Sequence, residues 1–444
     1  MFAQPIRFLL SQWFLEITIR KGCVMELPHA RARRFHSLAL AFLFALLPLG
    51  GLLTTPVLAA SWRVTVRGHG SQTGEIPVFT KITAEVPPGN YILTPENAGA
   101  PISAQLFELA GTRYLGTVLK SIPAEGSVRF VMVPDTKSEE SRPGVELRPE
   151  GGNLHVLVGG KPLLSYRTDE PTKPYYYPVI GPTGAAITRA YPMLKVDGED
   201  QDHPHQRSFW FSHGNVNGYD FWASDPVNSP NPKSGKIKET SRKAASGSAM
   251  GLIQTTDDWI GPDGKIVCED ERTLRIYDTN KGRTLDFDIT IKASAGPVTF
   301  GDTKEGMFGV RVASTMDVKK NKQGGKITNA EGLTDDAAWG KASRWVDYTG
   351  PVEGKTVGIA ILNHPSSFRY PTTWHVRAYG LFAANPFGWH DFGQKDSGAH
   401  TIPAGESLRF RYRVLLHEGD TDSAKIPDAF KNYAEPPTIE IKAE

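Results

Sequence analysis

Short runs of alternating hydrophobic and polar residues dominate the chain, and helical periodicity is nearly absent. A period of two places successive side chains on opposite faces of a β-strand, so these runs predict strands. The segments between them are rich in Gly, Pro, Asn and Asp, as turns are. Strands are predicted at 62–66, 82–86, 128–133, 250–255, 272–277, 285–291 and 407–416, and short helices at 337–344 and 426–433.

The strand runs predict an all-β protein with two domains. At 444 residues the chain is too long for one ordinary core, and its 44 Gly and 33 Pro follow no period, which agrees with many turns. Residues 61–140 are predicted to form a small accessory β-sandwich. Residues 145–420 are predicted to form a larger β domain, and 421–444 a C-terminal tail. The charged segment 135–142 is interpreted as the linker between the two domains.

Two of these strands carry charges on one face. In 285–291 the residues Asp286 and Asp288 alternate with apolar positions, which predicts one solvated face. In 407–416 three arginines alternate with apolar residues. We interpret that run as a solvated edge strand with a basic outer face.

The first 60 residues are interpreted as a leader with an export signal. Basic residues at 31–34 precede an apolar run at 37–53 and the small-residue pattern 57–59, so the mature chain is predicted to start near Ala60. Met25 is the preferred initiator. The apolar run is shorter than the roughly 20 residues of a membrane span, and no later segment is long enough. We therefore expect an exported protein, periplasmic or extracellular, with no membrane span in the mature chain.

Bulk charge excludes some partners. The chain has 50 Lys and Arg against 48 Asp and Glu, so no nucleic-acid partner and no acidic membrane surface is indicated. Of the two cysteines, Cys23 lies in the leader, so Cys268 has no partner in the mature chain and is predicted to be a small buried residue. The partner is expected to be small or neutral.

One stretch, residues 202–222, concentrates the residues that carry chemistry. His203 and His205 flank Pro204, so in an extended segment both imidazoles would face one side. Two further clusters, 300–312 and 363–388, also mix ionisable groups with glycine, proline and aromatic residues. The glycines of 300–312 are interpreted as positions where the backbone approaches a ligand.

These motifs resemble a family of secreted bacterial proteins of unassigned function. The runs are DHPHQRSFWFSHGNVNGYDFW, FGDTKEGMFGVRVA, RWVDYTG and HPSSFRYPTTWHVRAYGLFAANPFG, and the resemblance covers about residues 145–418. The family is commonly labelled "methane oxygenase PmoA". A methane monooxygenase subunit would need several apolar spans, which the chain lacks, so the label is interpreted as a misnomer. The resemblance implies an antiparallel β-supersandwich similar to galactose mutarotase for this domain.

The family pattern also implies which positions matter. It has a His or Lys where this chain has Gln206, and a Gly where it has Ser208. Whether Gln206 alters the activity is left open. The positions that match the family pattern are His203, His205, Arg207, His213, Glu305, His375, Arg377 and Asn385.

Three functions are weighed. The leading one is an exported carbohydrate-active enzyme, a hydrolase, lyase or mutarotase-like isomerase, which needs no cofactor and acts on a sugar or glycan by His/Glu general acid–base chemistry. The second is a divalent-metal enzyme with His203 and His205 as ligands. The third is a non-catalytic glycan-binding or structural protein. In the leading hypothesis the catalytic residues are His203, His205, Glu305 and His375, and the substrate-binding residues are Arg207, His213, Trp210, Trp374, Arg377 and Asn385.

Overall fold

The structure, a computed structural model, describes residues 60–124, 126–136, 144–169, 172–224, 231–280, 282–319 and 324–444. The leader and its export signal lie outside the described residues, as does most of the linker 135–142. Across these ranges, no helix has the length and apolar character required to cross a membrane.

The described chain is nearly all β, as predicted, with antiparallel sheets in a sandwich-like arrangement. Most predicted strands are present within a few residues of their expected limits. The elements in chain order are β1 (Trp62–Arg67), β2 (Ile76–Ile82), β3 (Gly89–Pro95), β4 (Ile102–Leu109), β5 (Thr112–Leu119), β6 (Val128–Pro134), β7 (Val145–Glu150), β8 (Asn153–Val158), β9 (Lys161–Arg167), β10 (Tyr175–Val179), β11 (Phe209–His213), β12 (Lys236–Ala245), β13 (Met250–Ile260), β14 (Ile266–Tyr277), β15 (Arg283–Lys292), β16 (Val298–Phe300), β17 (Gly306–Arg311), β18 (Lys326–Asn329), β19 (Trp345–Val352), β20 (Lys355–Asn363), β21 (Trp374–Val376), β22 (Leu381–Ala384), β23 (His400–Ile402), β24 (Ser407–Glu418), α1 (Ile426–Ala434) and β25 (Thr438–Ala443).

Three sheets organise these strands. Sheet A has the order β2-β5-β4-β3-β6-β1-β25. Sheet B has the order β21-β22-β17-β11-β10-β9-β8-β7, and sheet C the order β12-β13-β14-β15-β24-β20-β19-β18. Strands β16 and β23 form a separate two-stranded ribbon.

Sheets B and C pack face to face over the main core. Phe308 of sheet B stacks between two residues of sheet C, with ring centroids 5.1 Å from Phe287 and 4.8 Å from Tyr412. Phe209 of sheet B lies 5.7 Å from Phe287. Each buried aromatic side chain of this kind contributes on the order of 2 kcal/mol by leaving water. Cys268 is fully buried in the same core, as predicted.

Sheet A has its own core and also packs on sheet C. Val64 and Val66 of β1 are fully buried in that core. The outer side of sheet A contacts sheet C through Phe107, which clusters with Met250 and Tyr277. Whether sheet A folds by itself stays a prediction.

The C-terminal residues 421–444, expected to be a tail, belong to the packed structure. Strand β25 pairs with β1 along its whole length, and the alternation of Ile439 and Ile441 places both against the core of sheet A. Helix α1, present as predicted, buries Ile426 and Phe430 against Trp345 on the outer face of sheet C.

Three local predictions are wrong. The strand predicted at 82–86 is absent, because β2 ends at Ile82 and the residues that follow, up to Gly89, form a loop with Pro87 and Pro88. Residues 337–344 do not form an α-helix: a short 3-10 turn spans Asp335–Ala338, and the chain is extended at Trp339. Gly340 follows with φ +70°, in the left-handed region, which ends any helical run.

The arginine-bearing strand β24 is also not an edge strand. It lies between β15 and β20 in the centre of sheet C. Its arginine face and the aspartate face of β15 are covered by sheet A and α1, so Asp286 and Asp288 are buried instead of solvated.

Candidate active site on the outer face of sheet B

Strand β11 shows how the sequence divides its side chains between core and outer face. Phe209 and Phe211 point into the main core, whereas Trp210 points outward and packs against Trp222 at 4.9 Å. Gly309 lies opposite Trp210, and a Cβ there would be 2.7 Å from the indole. This glycine makes room for a tryptophan, so its role differs from the ligand approach expected from the sequence.

Asp202 and His203 form a carboxylate–imidazole pair at the edge of this face. His203 Nδ1 lies 2.8 Å from Asp202 Oδ2, and both side chains are 41% exposed. The His203 ring stacks on Tyr379 with centroids 5.3 Å apart and planes 9° apart. Because Nδ1 donates to the carboxylate, the second ring nitrogen, Nε2, carries the lone pair that accepts a proton.

Two buried arginines fix Asp202 from behind. Arg189 Nη1 donates to Asp202 Oδ1 at 2.5 Å, and Arg311 Nη2 donates to the same oxygen at 3.0 Å. Burial alone would raise the pKa of Asp202, but Arg311, His203 and Arg189 outweigh it and hold the pKa below its ordinary value. Asp202 therefore stays an anion that orients His203.

Gln206 joins this network to Tyr379. Its Oε1 accepts a hydrogen bond from Arg311 Nη1 at 2.5 Å, and its side chain lies near enough to the Tyr379 hydroxyl to lower the pKa of that group. Burial raises the pKa of Tyr379. Gln206 is itself buried, so at this position it serves to connect other side chains.

Glu305 ends the loop that leads into β17. Burial raises the pKa of its carboxyl, and nearby Lys304 partly offsets the effect. The Lys304 ammonium lies 3.8 Å from Glu305 Oε1, and the Glu305 side chain is 36% exposed. The Trp222 indole approaches the carboxyl without meeting full hydrogen-bond geometry. Glu305 is thus a partly exposed carboxyl with a raised pKa, a combination that is common among proton-transfer groups.

His375 and Asn385 hold the Glu305 loop in place. His375 Nδ1 donates to the Lys304 carbonyl at 2.7 Å. Burial lowers the pKa of His375 to about 4, so the ring is neutral. Asn385 Nδ2 donates to the carbonyls of Thr303 at 3.0 Å and Lys304 at 2.8 Å. Both side chains therefore position the loop.

His375 and Tyr379 lie on the same face as Trp210: alternation in β21 turns His375 to that face, and the turn after β21 packs Tyr379 against the cluster that contains Trp210. Trp374 and Val376 lie in the main core, so His375 points outward. Arg377 follows and lies over the Trp339 ring at 5.4 Å and the Tyr379 ring at 5.8 Å. His203 stacks on Tyr379, which packs against Trp210 and Trp222, and His375 donates to the carbonyl of Lys304, the residue before Glu305. His203, His375 and the Glu305 loop therefore border the same face of sheet B.

Two predicted substrate-binding residues lie inside the protein instead. His213 is fully buried between Phe300 and Phe387, and its Nε2 donates to the Gly301 carbonyl at 2.8 Å. Trp374 is fully buried, and its indole donates to the Ser343 carbonyl at 2.9 Å. Strand alternation encloses both in the core, where no ligand contacts them.

The remaining predicted residues lie near the site with different exposures. Arg207 is buried beside the Tyr175 ring at 5.9 Å. Trp210 is on the outer face but fully covered. His205 meets His203 edge-on at 5.7 Å. Within the described ranges no group of three or more His, Cys, Asp or Glu is arranged to hold a metal ion, so the three-ligand site suggested by the H-x-H motif is not found there.

Sequence analysis missed Asp202, Arg311 and Tyr379 as parts of the site. Two signals were available: Asp202 directly precedes His203, and Tyr379 follows His375 and Arg377 at a spacing of two. That spacing predicts one shared face.

A protein-family model, described as "Family of unknown function (DUF6807)", matches residues 153–431, which is more than half of the chain. The chain belongs to this family. The description assigns no function, so the label "methane oxygenase PmoA" remains a resemblance. No curated protein matches.

A search of solved structures found a slight likeness to a glycoside hydrolase. The match is a GH36 α-galactosidase, AgaA, from Geobacillus stearothermophilus, at 10% identity and a TM-score of 0.33. It covers 62% of this chain and 40% of the other. The chain thus spans well under half of that enzyme, and we base no functional argument on the likeness.

Proposed function

We propose that this protein is an exported enzyme that acts on a sugar or glycoside by general acid–base catalysis on the outer face of sheet B. The proposal rests on two titratable side chains that border this face. One is Glu305, whose pKa is raised by burial. The other is His203, which Asp202 orients through Nδ1.

The proposed roles follow from what each group offers. Above its raised pKa, Glu305 is a carboxylate and takes a proton from a sugar hydroxyl or from water. His203 acts as the acid in its protonated form: Asp202 holds Nδ1–H, and the proton that Nε2 has taken up passes to the sugar oxygen, which leaves Nε2 as the acceptor for the next proton. The two groups then exchange roles in the reverse step.

Sugar recognition needs flat apolar faces beside charged hydrogen-bond donors. On this face Tyr379 and Trp339 are partly exposed and Arg377 lies between their rings. These residues replace Trp210 and Trp374, which are fully buried, as the proposed stacking platform.

A substrate screen tests the proposal. Reducing sugars would be assayed for anomer interconversion, aryl glycosides for hydrolysis and uronides for elimination, with wild type, Glu305→Gln and His203→Asn. We expect at least about a 100-fold loss of turnover in each variant, the usual contribution of a general acid or base.

The matched control is His155→Asn. His155 has the same 41% exposure as His203 and a comparable carboxylate partner, Glu150, at 3.0 Å, but it lies on β8 away from the site. Its turnover should equal wild type. Equal losses of turnover in all variants, the His155→Asn control included, would refute the proposed catalytic roles. Sugar binding without turnover in wild type would refute an enzymatic function and favour a binding protein.

A further inference from the structure

A cleft of about 640 Å³ lies on the outer face of sheet C, remote from the site described above. Its floor is formed by β14, β15 and β24, and its walls by β2, the β4–β5 hairpin and α1. The volume is within the range that holds a small-molecule ligand. The charged faces of β15 and β24 that the sequence placed in solvent line this cleft.

The floor carries more positive than negative charge. Four arginines, Arg275, Arg409, Arg411 and Arg413, line it together with Asp286 and Asp288, which leaves an excess of two positive charges among these six. Glu271 also lines the cleft, but it is paired with Lys292.

The two aspartates are shared among the arginines. Asp288 accepts Arg409 Nη2 at 2.9 Å and Arg411 Nε at 3.4 Å, and Arg275 Nη2 lies 3.1 Å from it. Asp286 accepts Arg413 Nε at 2.6 Å. About five N–H donors per guanidinium exceed what four carboxylate oxygens accept. The floor therefore has donor capacity that the aspartates do not use.

Polar groups without partners point to the same conclusion. Tyr433 lines the cleft and is only 4% exposed. Its buried hydroxyl has no hydrogen-bond partner. Arg275 Nε is likewise buried and makes no hydrogen bond, and Asp286 Oδ2 lies 3.8 Å from it. Buried donors of this kind are normally satisfied, so they indicate a ligand or water position.

One wall is aromatic. Phe79 and Tyr114 stack at 4.8 Å with planes 5° apart, and both line the cleft. The guanidiniums nearest to solvent are Arg409, with 56% of its side chain exposed, and Arg411, with 24%. A ligand entering the cleft meets these two donors first.

We propose that this cleft binds a small oxyanion, a carboxylate or sulfate group, held by Arg409 and Arg411, with any attached ring against Phe79 and Tyr114. The planar guanidinium fork matches the paired oxygens of such groups. The site is independent of Glu305 and His203, so either proposal can fail alone.

Isothermal titration with three probes tests it: glucuronate, glucose and inorganic sulfate. We expect wild type to bind glucuronate at millimolar or lower concentration, with affinity that falls as salt is raised, and not to bind glucose. If sulfate and glucuronate bind with equal affinity, the site is one for free oxyanions. If glucuronate binds more tightly than sulfate, the site is one for acidic sugars.

Arg409→Gln and Arg411→Gln should each weaken glucuronate binding about tenfold, the order expected for one charge-assisted hydrogen bond. Arg409 is half exposed and Asp288 keeps other arginine partners, so folding should survive. The control is Arg67→Gln, with 59% exposure on β1, which should bind like wild type. Absence of anion binding in wild type, equal binding of glucose, or the same loss in Arg67→Gln would overturn the proposal.

Discussion

The outer faces of sheets B and C both hold ionisable groups, and the two faces differ at Glu305. Asp202 on sheet B, like the aspartates of sheet C, is kept charged by arginines, whereas Glu305 has no arginine partner among the described residues. On sheet B, burial raises the pKa of Glu305 and lowers that of His375 to about 4, so both shift toward the neutral form. On sheet C, burial alone would raise the pKa of Asp286, but Arg413 and Arg275 outweigh it and the pKa falls.

The difference lies in the number of opposite charges in contact. Asp286 and Asp288 each touch two or more arginines, so burial strengthens the ion pairs and keeps the carboxylates charged. Among the described residues, Lys304 is the one cation in contact with Glu305, at 3.8 Å, and the charges of Asp220 and Asp391 oppose its effect. Paired charges suit binding of ions, and the less compensated carboxyl suits proton transfer.

The largest expected effect is the loss of a buried partner on sheet C. Arg413→Met removes the donors to both oxygens of Asp286, at 2.6 and 2.9 Å, and to the Pro77 carbonyl. We expect a loss of about 3 kcal/mol in the free energy of unfolding, measured by urea denaturation. Arg67→Met, an exposed control, should cost less than about 1 kcal/mol. Equal losses of unfolding free energy in Arg413→Met and Arg67→Met would show that the buried ion pairs of sheet C do not stabilise the fold.

The next effect concerns the loop that presents Glu305. Asn385→Ala removes two donors and an acceptor for the backbone N–H groups of Phe387 and Gly388. Because these groups are buried, we expect a loss of about 2 kcal/mol in urea denaturation. Asn280→Ala, a surface amide bonded to Glu75, should cost less than about 1 kcal/mol. A change in Asn385→Ala no larger than in the control would contradict the account.

Acid should act on sheet C. The pKa of Asp286 and Asp288 is lowered in the folded state, so their contribution is present above the unfolded value, about 3.9, and is lost as pH falls through the folded pKa. Below about pH 4, protonation of each of these two carboxylates should lower the free energy of unfolding by up to about 1.4 kcal/mol per pH unit. In Asp286→Asn the free energy of unfolding should fall less steeply with decreasing pH. The same slope as in wild type would contradict the role given to Asp286.

The smallest effect separates the two contacts of Tyr379. Tyr379→Phe removes the hydroxyl that lies beside Gln206 but keeps the ring stacked on His203. We expect a stability change of about 1 kcal/mol. Tyr379→Ala removes the stacked ring as well and should therefore disorder the His203 side chain. The measurement is the NMR signal of the His203 ring, which should shift in Tyr379→Ala and stay in place in Tyr379→Phe. Identical spectra for the two variants would mean that the stack does not hold His203.

Alternation in the sequence predicted which side chains share a face, but not what covers that face. The runs of β15 and β24 gave the correct strands and the correct charged sides. They did not show that sheet A and α1 pack over those sides, because that contact joins segments more than 300 residues apart, such as Pro77 and Arg413. For the same reason the strand at 438–443, which completes sheet A, was read as a tail.

The candidate site was predicted in part. His203, Glu305 and His375 were expected to meet in one cleft. They border the same face of sheet B, and the shared cleft stays a prediction. The roles of His213 and Trp374 were not foreseen, since both look polar or amphipathic in sequence and only the packing shows them enclosed. Asp202 and Tyr379 were overlooked because an anion and a hydroxyl become informative only once their partners, Arg311 and Gln206, are known.

The central claim, that the outer face of sheet B is the functional surface, is tested most directly by hydrogen–deuterium exchange with the best neutral sugar from the substrate screen. The account predicts that the sugar slows exchange at the amides of residues 303–306 and 377–380. Exchange at residues 407–413 should not change. Protection confined to 407–413, with 303–306 and 377–380 unchanged, would contradict it.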